Sequence, residues 1–374
     1  MPDDRRTRTP GDRERLPYRI GALVDLPPKR EWLDAIQLAF DEAHEHGLVE
    51  RPVELVVREA YGQPWSDGLV TEDAYVELCR EERVLGVVGP MTTDSSLAVL
   101  DQVERQRVPT ISMAGTVHFN GDFAFMLSNG GLADEPALIA GWLVQNGHRR
   151  VVLLREITEI GEEYTRWFRL NARQLGIEIV AESVASAPIM EVDEVVAALA
   201  PLQRAGGDAL VYLGLGRLNQ VLRPALEQLA WNPPRIMCTA FVRALVSEKD
   251  AWDIDGWVGV DQYDERNEVF QGVLGRFEAR FGYRPAGTRA SCGYDMGIVM
   301  AIALGRMRLA TPVGLRDALE TVRRVPSCTG APGTVIGFGP SDHRGYRGAD
   351  FLILRRSSGG TTQFEGTVPV APLW

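Results

Sequence analysis

Two patterns of apolar and polar positions follow one another along the chain. Short, nearly continuous apolar segments such as YRIGALV (18–24), VELVVRE (53–59) and VLGVVG (84–89) predict buried strands. Between them lie longer stretches with apolar residues every three or four positions, which predict amphipathic helices. Strands that are apolar throughout and alternate with helices indicate a parallel sheet covered on both faces.

A second series of the same kind begins near residue 132. Its predicted strands are VVLLRE (151–156), IEIVAE (177–182), ALVYLG (209–214), RIMCT (235–239) and WVGVD (257–261). The last third differs, because long helical stretches at 267–281 and 289–308 precede the strands TVIGFG (334–339) and DFLILRR (350–356). Two β/α series and a segment that returns to both predict an α/β fold with two doubly wound lobes.

The predicted boundaries follow from this order of elements. A tail over 1–16 precedes lobe 1, which comprises 17–128 and 262–336, and lobe 2 comprises 129–261 and 337–372. Helices suited to lobe 1 resume after WVGVD, and the final strands are too few for a domain of their own. Ligands of such sheets bind beyond the carboxyl ends of the strands, so we expect a site between the lobes.

Composition and charge narrow the classes of partner. The chain has 374 residues, with 40 basic and 51 acidic side chains and a net charge of −11. An acidic balance argues against nucleic acid, and no apolar run reaches the roughly 20 residues of a membrane span. The start, MPDDRRTRTPGDRERLP, lacks the apolar segment of a secretory signal. As written it predicts a cytoplasmic protein, or an extracytoplasmic one if translation starts further upstream.

Motifs for catalysis, metals or cofactors are weak or missing in the sequence. The four cysteines are widely spaced, Gly214-Leu215-Gly216 is only part of a dinucleotide fingerprint, and the histidines have no ligand spacing. We therefore expect no cofactor, no metal site and no enzymatic activity. An enzyme on two Rossmann-like lobes remains the alternative from a different class.

The turn in GVVGPMTTDSS (86–96) is the strongest candidate for a binding site. A strand ends there in Gly-Pro, and hydroxyl residues precede a helix for which Asp94 is the expected N-cap. No base that could activate a serine lies near, and the lysine of a phosphate loop is missing. The free backbone N–H groups and hydroxyls of such a turn can hold a carboxylate or a carbonyl. Simple capping of the helix is the alternative.

The segment VVGPMTTDSSLAVLDQVERQRVPTISMAGT (87–116) resembles the first lobe of type I periplasmic binding proteins of the leucine/isoleucine/valine-binding branch. YRIGALVDLP, GWVGVDQYDERN and GYDMGIVMAIAL support the resemblance, which extends over 18 to about 356. It implies two Rossmann-like lobes joined by three crossovers that close on a small ligand. It also implies an ABC permease or a regulatory protein as partner.

The resemblance also implies site residues. Thr93 falls where a hydroxyl binds the ligand carboxylate, and Ala114, Gly115 and Thr116 form the turn that holds the polar head of the ligand. Trp32, Phe241 and Tyr294 are aromatic pocket candidates, with core packing as the alternative for each.

Three positions depart from the family pattern. Amino-acid-binding members carry an acidic residue just after the strand that matches RIMCT, but here the sequence at this point reads Thr239-Ala240-Phe241. The turn that often carries a tyrosine reads Thr158-Glu159-Ile160-Gly161, and the loop at Leu26-Pro27-Pro28 is short. A buried ammonium without a countercharge is costly. We therefore expect a carboxylate, amide or aromatic ligand without an α-ammonium, unless Glu156 or Glu159 supplies the charge.

Two roles fit this binding fold. The first is the solute-binding receptor of an ABC importer, and the second is a cytoplasmic ligand sensor or regulator. Neighbouring genes would separate them, since permease and ATPase genes indicate transport. The sequence itself identifies neither the ligand nor the oligomeric state.

Overall fold

The computed structural model describes residues 16–27, 30–61, 68–185, 191–245, 247–285, 287–347 and 351–368. Nearly all of the tail predicted over 1–16 lies outside these ranges. None of the helices within them is both long and apolar enough to cross a membrane. The same ranges contain no group of three or more His, Cys, Asp or Glu side chains suited to a metal ion.

Lobe 1 is built on a parallel sheet with the strand order β2-β1-β3-β4-β5. Its strands are β1 (Tyr18–Val24), β2 (Val53–Glu59), β3 (Gly86–Val88), β4 (Thr110–Ser112) and β5 (Ala124–Met126). The helices in this part of the chain are α1 (Arg30–Glu45), α2 (Gly68–Arg80) and α3 (Thr93–Gln106). The apolar residues of β1 and β3 are buried, as expected for central strands with helices on both faces.

Three later helices complete lobe 1: α9 (Glu268–Phe281), α10 (Thr288–Arg306) and α11 (Pro312–Leu319). The close contact between α10 and α1 depends on glycine. A Cβ atom at Gly293 would lie 2.6 Å from the Trp32 carbonyl oxygen, and one at Gly297 would lie 2.7 Å from the Ala39 Cβ. Only hydrogen fits at these positions, so the two backbones pack directly against each other.

Lobe 2 contains a seven-stranded sheet in the order β15-β14-β10-β9-β8-β6-β7. Five strands are parallel: β6 (Arg150–Glu156), β7 (Glu178–Ala185), β8 (Ala209–Leu213), β9 (Arg235–Met237) and β10 (Val258–Asp261). The antiparallel strands β14 (Ile353–Ser358) and β15 (Thr361–Gly366) extend one edge. The helices are α4 (Glu135–Gln145), α5 (Glu159–Gln174), α6 (Val192–Ala205), α7 (Asn219–Gln228) and α8 (Glu248–Asp253).

The chain passes between the lobes near residues 128 and 262, and one side chain joins these two crossings. The Gln262 amide donates to the Ser128 carbonyl oxygen at 3.0 Å and accepts from the Gly130 N–H at 2.8 Å. Gln262 is fully buried. The two connecting segments therefore lie side by side.

The third return to lobe 2 differs from the predicted boundary at 336/337. A small sheet of β11 (Val325–Pro326), β12 (Val335–Ile336) and β13 (Tyr346–Arg347) stays with lobe 1. Phe338 packs edge-to-face on Phe125 with ring centroids 5.2 Å apart, and the Gly345 N–H donates to the Met126 carbonyl oxygen at 2.8 Å. The core of lobe 1 thus retains the segment 337–347, and lobe 2 resumes with β14.

Candidate ligand-binding cleft

A cleft lies between the lobes at the carboxyl ends of the parallel strands, and both lobes contribute to its wall. It contains about 730 Å³ of space outside the protein atoms, including solvent at its mouth. Its wall is formed by Leu26, Met91, Thr92, Thr93, Met113, Gly115, Asn129, Leu132, Ile160, Tyr164, Gly214, Leu215, Thr239, Val242 and Arg289.

The α3 amino terminus forms one side of the lobe 1 wall. Thr92, and not the predicted Asp94, is the N-cap, and its hydroxyl oxygen accepts from the Ser95 N–H. The Asp25 carboxylate accepts from the Met91 N–H at 2.6 Å, from the Thr92 N–H at 3.0 Å and from the Thr92 hydroxyl at 2.6 Å. Burial raises the pKa of Asp25. Part of the turn is therefore bound by the protein's own carboxylate.

Thr93 is the hydroxyl residue of this turn that remains available. It is buried, lines the cleft and makes no side-chain hydrogen bond to the described residues. The Ser96 hydroxyl instead donates to the Thr92 carbonyl oxygen at 2.6 Å and contacts the Ser112 hydroxyl at 2.7 Å. The turn thus presents one free hydroxyl beside the positive end of a helix.

The second predicted turn, 114–116, is only partly in the cleft. Gly115 lines it, but Ala114 and Thr116 do not. The Thr116 hydroxyl donates to Glu163 Oε2 at 2.7 Å, and Glu163 lies on α5 of the other lobe. The structure therefore differs from the sequence prediction for Thr116, because this hydroxyl joins the two lobes and does not face the ligand space.

Two polar side chains of the cleft wall are not among the residues predicted from the sequence. Arg289, on the first turn of α10, is 8% exposed and lines the cleft. Asn129 also lines it, and its buried Oδ1 atom has no hydrogen-bond partner among the described residues. Neither belongs to a local motif, so only the packing of α10 and of the first crossover brings them to the cleft.

The lobe 2 wall is largely apolar. Ile160 and Tyr164 come from α5, Leu215 follows β8, and Val242 follows β9. Ile160 occupies the turn where the family pattern often has tyrosine. Tyr164, one helical turn later, supplies an aromatic ring that the sequence prediction did not include.

A buried carboxylate lies directly behind this wall. Glu135 Oε1 accepts from the Tyr164 hydroxyl at 2.6 Å and from the Gly131 N–H at 2.8 Å, and Oε2 accepts from the Thr239 N–H at 2.6 Å. Burial raises the pKa of Glu135 to about 7, although these hydrogen bonds oppose the shift. Glu135 is thus the acidic group nearest to the position where the family pattern has its countercharge.

The two carboxylates proposed as countercharges lie elsewhere. Glu156 is fully buried and accepts from the Tyr212 hydroxyl, from the Leu215 N–H at 3.0 Å and from the Arg217 N–H at 2.8 Å. It holds the loop after β8 and is not part of the cleft wall. Glu159 is exposed at the start of α5 and is likewise outside the wall.

The three predicted pocket aromatics belong to the packed interior. Trp32 and Phe241 are fully buried in the cores of lobe 1 and lobe 2, respectively. The Tyr294 hydroxyl donates to Glu42 Oε2 at 2.6 Å, on a surface of α10 that packs against α1. None of the three lines the cleft. The core-packing alternative describes their positions, since residues at helical spacing face the neighbouring element.

These contacts describe a site whose wall is suited to binding. The fifteen residues of the cleft wall include one arginine and no Asp, Glu, His, Lys or Cys. The polar groups on one side can hold an acceptor, and the other side offers apolar cover. A two-lobed α/β protein with a cleft at the strand ends has the architecture of a binding protein of the periplasmic type.

The comparisons with known proteins agree with this class. The family model described as periplasmic binding protein matches residues 20–360, and the chain belongs to that family. It is therefore a solute-binding protein and not an enzyme. Among curated proteins, none matches the chain.

Solved structures share the fold at low sequence identity. The branched-chain amino acid transporter substrate-binding protein LivJ of Streptococcus pneumoniae, in complex with isoleucine, is 18% identical with a TM-score of 0.79, covering 94% of this chain and 99% of that chain. An ABC transporter substrate-binding protein of Sphaerobacter thermophilus is 24% identical with a TM-score of 0.74, covering 96% and 97%. One from Desulfitobacterium hafniense in complex with Leu is 18% identical with a TM-score of 0.75, covering 93% and 100%.

Proposed function

We propose that this protein is the solute receptor of an ABC importer and that its ligand is a small carboxylate with an apolar or aromatic body. The observation that carries the proposal is the uneven distribution of charge in the cleft wall. Lobe 1 contributes Arg289, the Thr93 hydroxyl and the α3 amino terminus, all of which attract an anion. Lobe 2 contributes mostly apolar side chains to the same space.

The absence of acidic residues from this wall argues against an α-ammonium on the ligand. An ammonium that is transferred from water to a closed cleft needs an anionic partner, and none of the fifteen wall residues is an acid. The unpaired Asn129 Oδ1 offers a neutral acceptor, which suits a hydroxyl or amide hydrogen of a ligand.

An α-amino acid is the second candidate, and Glu135 is the observation that favours it. The Tyr164 and Thr239 side chains that line the cleft also contact or adjoin this carboxylate. The structures from S. pneumoniae and D. hafniense hold isoleucine and Leu, respectively. An ammonium bound near Glu135 would favour its ionised form, so binding would strengthen as the pH rises through about 7.

Matched ligands distinguish the two candidates. Calorimetry with leucine, 4-methylpentanoate and leucinamide separates the contributions of the ammonium and the carboxylate, and phenylalanine with 3-phenylpropanoate repeats the comparison for an aromatic body. We expect the two acids without an ammonium to bind and leucinamide to fail. Preferential binding of leucine, with affinity that increases above pH 7, would support the second candidate instead.

The transport role requires its own test. Deletion of the gene should abolish uptake of the labelled ligand by cells, and the purified protein should return the ligand chemically unchanged. Normal uptake together with a changed transcriptional response to the ligand would instead indicate the sensor role.

A further inference from the structure

Two residues of opposite charge flank the cleft on opposite lobes. Asp94 lies in the first turn of α3 and directly follows Thr93, which lines the lobe 1 wall. Arg217 lies two residues after Leu215, which lines the lobe 2 wall. Neither Asp94 nor Arg217 is part of the wall itself. The helix α3 also contacts α5 of lobe 2, so the lobes meet beside the ligand space.

Part of each side chain is screened from water and lacks a hydrogen bond. Asp94 Oδ1 and the Nε and Nη2 atoms of Arg217 are hidden from solvent, and none of the three has a partner within the described part of the chain. Both residues are half-buried. Charged groups that are withdrawn from water are costly unless they are paired. Each residue therefore lacks a partner that the other can provide.

The two charges already influence each other across the lobes. Burial raises the pKa of Asp94, and the positive charge of Arg217 opposes that rise. Asp25, Glu156 and Glu159 bring further negative charge to the same region and add to the rise. Arg217 thus places a cation in a region that is rich in carboxylates.

The other carboxylates of this region do not need Arg217 as a partner. The oxygens of Asp25 and Glu156 already accept hydrogen bonds from backbone N–H groups and hydroxyls. Glu159 is exposed, so water can hydrate its carboxylate. Asp94 Oδ1 has neither a protein donor nor access to solvent. Asp94 is therefore the carboxylate that gains most from a guanidinium partner.

Both side chains project from backbone that is held in place. Asp25 accepts from the Met91 and Thr92 N–H groups and so fixes the start of α3. Glu156 accepts from the Arg217 N–H at 2.8 Å and fixes the loop after β8. The Arg217 side chain keeps its rotamer freedom on this loop. Pairing therefore requires movement of side chains and approach of the lobes, and the two backbone mounts can stay unchanged.

We propose that Asp94 and Arg217 form an ion pair between the lobes in the ligand-bound protein and thereby stabilise the closed arrangement. In the open protein, water hydrates both groups and takes the place of the pair. The pair lies beside the ligand and not in the cleft wall, so it contributes for any ligand that the cleft accepts. The inference therefore does not depend on the class of ligand proposed above.

Zero-length cross-linking tests the pairing without a known ligand. Lysine occurs in the sequence at positions 29 and 249, so Arg217→Lys adds an amine whose carbodiimide products can be identified by mass spectrometry. Coupling is irreversible, so it accumulates even when closed lobes are a minor population. We expect an amide link between positions 94 and 217 that is lost when Asp94→Asn is added. Glu159→Gln is the matched control and should leave the link intact. A link from position 217 to Glu159, or no link to position 94, would overturn the proposal.

A double-mutant cycle tests whether the pair contributes to binding. Calorimetry uses 4-methylpentanoate or leucine, whichever binds the wild type. Asp94→Asn and Arg217→Gln should each weaken binding about tenfold, and the double variant should lose no more than either single one. Combination of Arg217→Gln with Glu159→Gln should instead give independent effects. Additive losses for Asp94→Asn and Arg217→Gln would mean that the two residues act separately, and this result or unchanged affinity in both would refute the pair. Neither result bears on which ligand class the cleft prefers.

Discussion

The two walls of the cleft differ in chemistry although both are built from strand ends and helix starts. The lobe 1 wall carries Thr93 and Arg289, the first crossover carries Asn129, and the lobe 2 wall carries mainly Ile160, Leu215 and Val242. The buried carboxylate of Glu135, in lobe 2, lies behind the wall and accepts hydrogen bonds from protein donors. The charged side chain of the wall therefore lies on lobe 1, although Leu26 and Met91 of that lobe are apolar and Tyr164 and Thr239 of lobe 2 are polar.

This difference indicates how a ligand is selected. In the proposed complex, the carboxylate gains its directional bonds from Thr93 on α3 and Arg289 on α10, both in lobe 1. The apolar side chains of lobe 2 would then remove ligand surface from water in that complex, which is non-directional and tolerates several body shapes. The hydrogen bond between Thr116 and Glu163 joins the lobes outside the cleft wall, so we expect it to contribute equally for every ligand.

The largest expected effect follows from removing the positive charge of Arg289 from the lobe 1 wall of the cleft. Arg289→Gln should weaken carboxylate binding by about 2–5 kcal/mol, the usual cost of truncating one partner of a buried charged contact. Calorimetry with 4-methylpentanoate measures this loss, and Arg289→Lys is the control that retains the charge. Unchanged affinity in Arg289→Gln would show that lobe 1 does not hold the carboxylate.

The second effect concerns the ionisation of Glu135, the buried carboxyl group behind the lobe 2 wall. The pKa of Glu135 is about 7 in the folded protein and 4.5 for the ordinary group. The folded state retains a proton that the unfolded state loses between these values, so the free energy of unfolding decreases as the pH rises from about 4.5 to 7. The total decrease is about 3 kcal/mol at most, at 1.36 kcal/mol per pKa unit.

Glu135→Gln removes this titration. Urea unfolding of both proteins at pH 5 and pH 8 should show that the variant loses less stability than the wild type over this interval. The difference between the two proteins isolates Glu135 from Asp295, whose pKa burial also raises, to about 6. Parallel stability curves would contradict a buried, proton-binding Glu135.

The third effect isolates a single hydroxyl of lobe 1. Thr93→Val retains the shape of the side chain, so the ligand-free protein should keep its melting temperature. Affinity for the carboxylate should decrease by roughly 1.5–3 kcal/mol, or about ten- to a hundredfold. Thr93→Ser is the matched control, and equal binding by Thr93→Val and wild type would remove Thr93 from the site.

The smallest effect belongs to the contact between the lobes. Thr116→Val removes the hydrogen bond to Glu163, and we expect about 0.5–1.5 kcal/mol weaker binding, which is about two- to tenfold. The loss should be equal for acids of different body shape, because the hydroxyl acts on closure and not on the ligand. Thr116→Ser should bind like the wild type, and a loss confined to one class of ligand would place Thr116 in the site after all.

Much of the fold could be predicted from local patterns. The strands matching YRIGALV, VVLLRE and ALVYLG correspond to β1, β6 and β8, because apolar runs bounded by turns have few alternatives. The third return to lobe 2 was placed wrongly at 336/337. Nothing in GFGPSDHRG marks which core receives it, and tertiary contacts such as that of Phe338 with Phe125 decide this.

The site, like the fold, has one part that local sequence predicts and another that only packing decides. A strand, a Gly-Pro turn and a hydroxyl-rich helix start are contiguous, so the sequence alone determined that a polar turn containing Thr93 would stand at a strand end. Trp32, Phe241 and Tyr294 were proposed for the pocket because a helical or loop aromatic looks the same in sequence whether it faces a core or a ligand. Only packing separates the two cases, and it buries these residues.

What the tertiary structure alone decided is which distant side chains share one space. Arg289 and Asn129 are 160 positions apart in the sequence, yet both line the cleft. Glu135 likewise contacts a distant residue, because it accepts a hydrogen bond from the N–H of Thr239, which lies 104 positions further along the chain. Local sequence determines periodicity, turns and caps because these depend on neighbours in the chain. The assignment of a charge to a site depends on contacts between elements, which only the folded lobes establish.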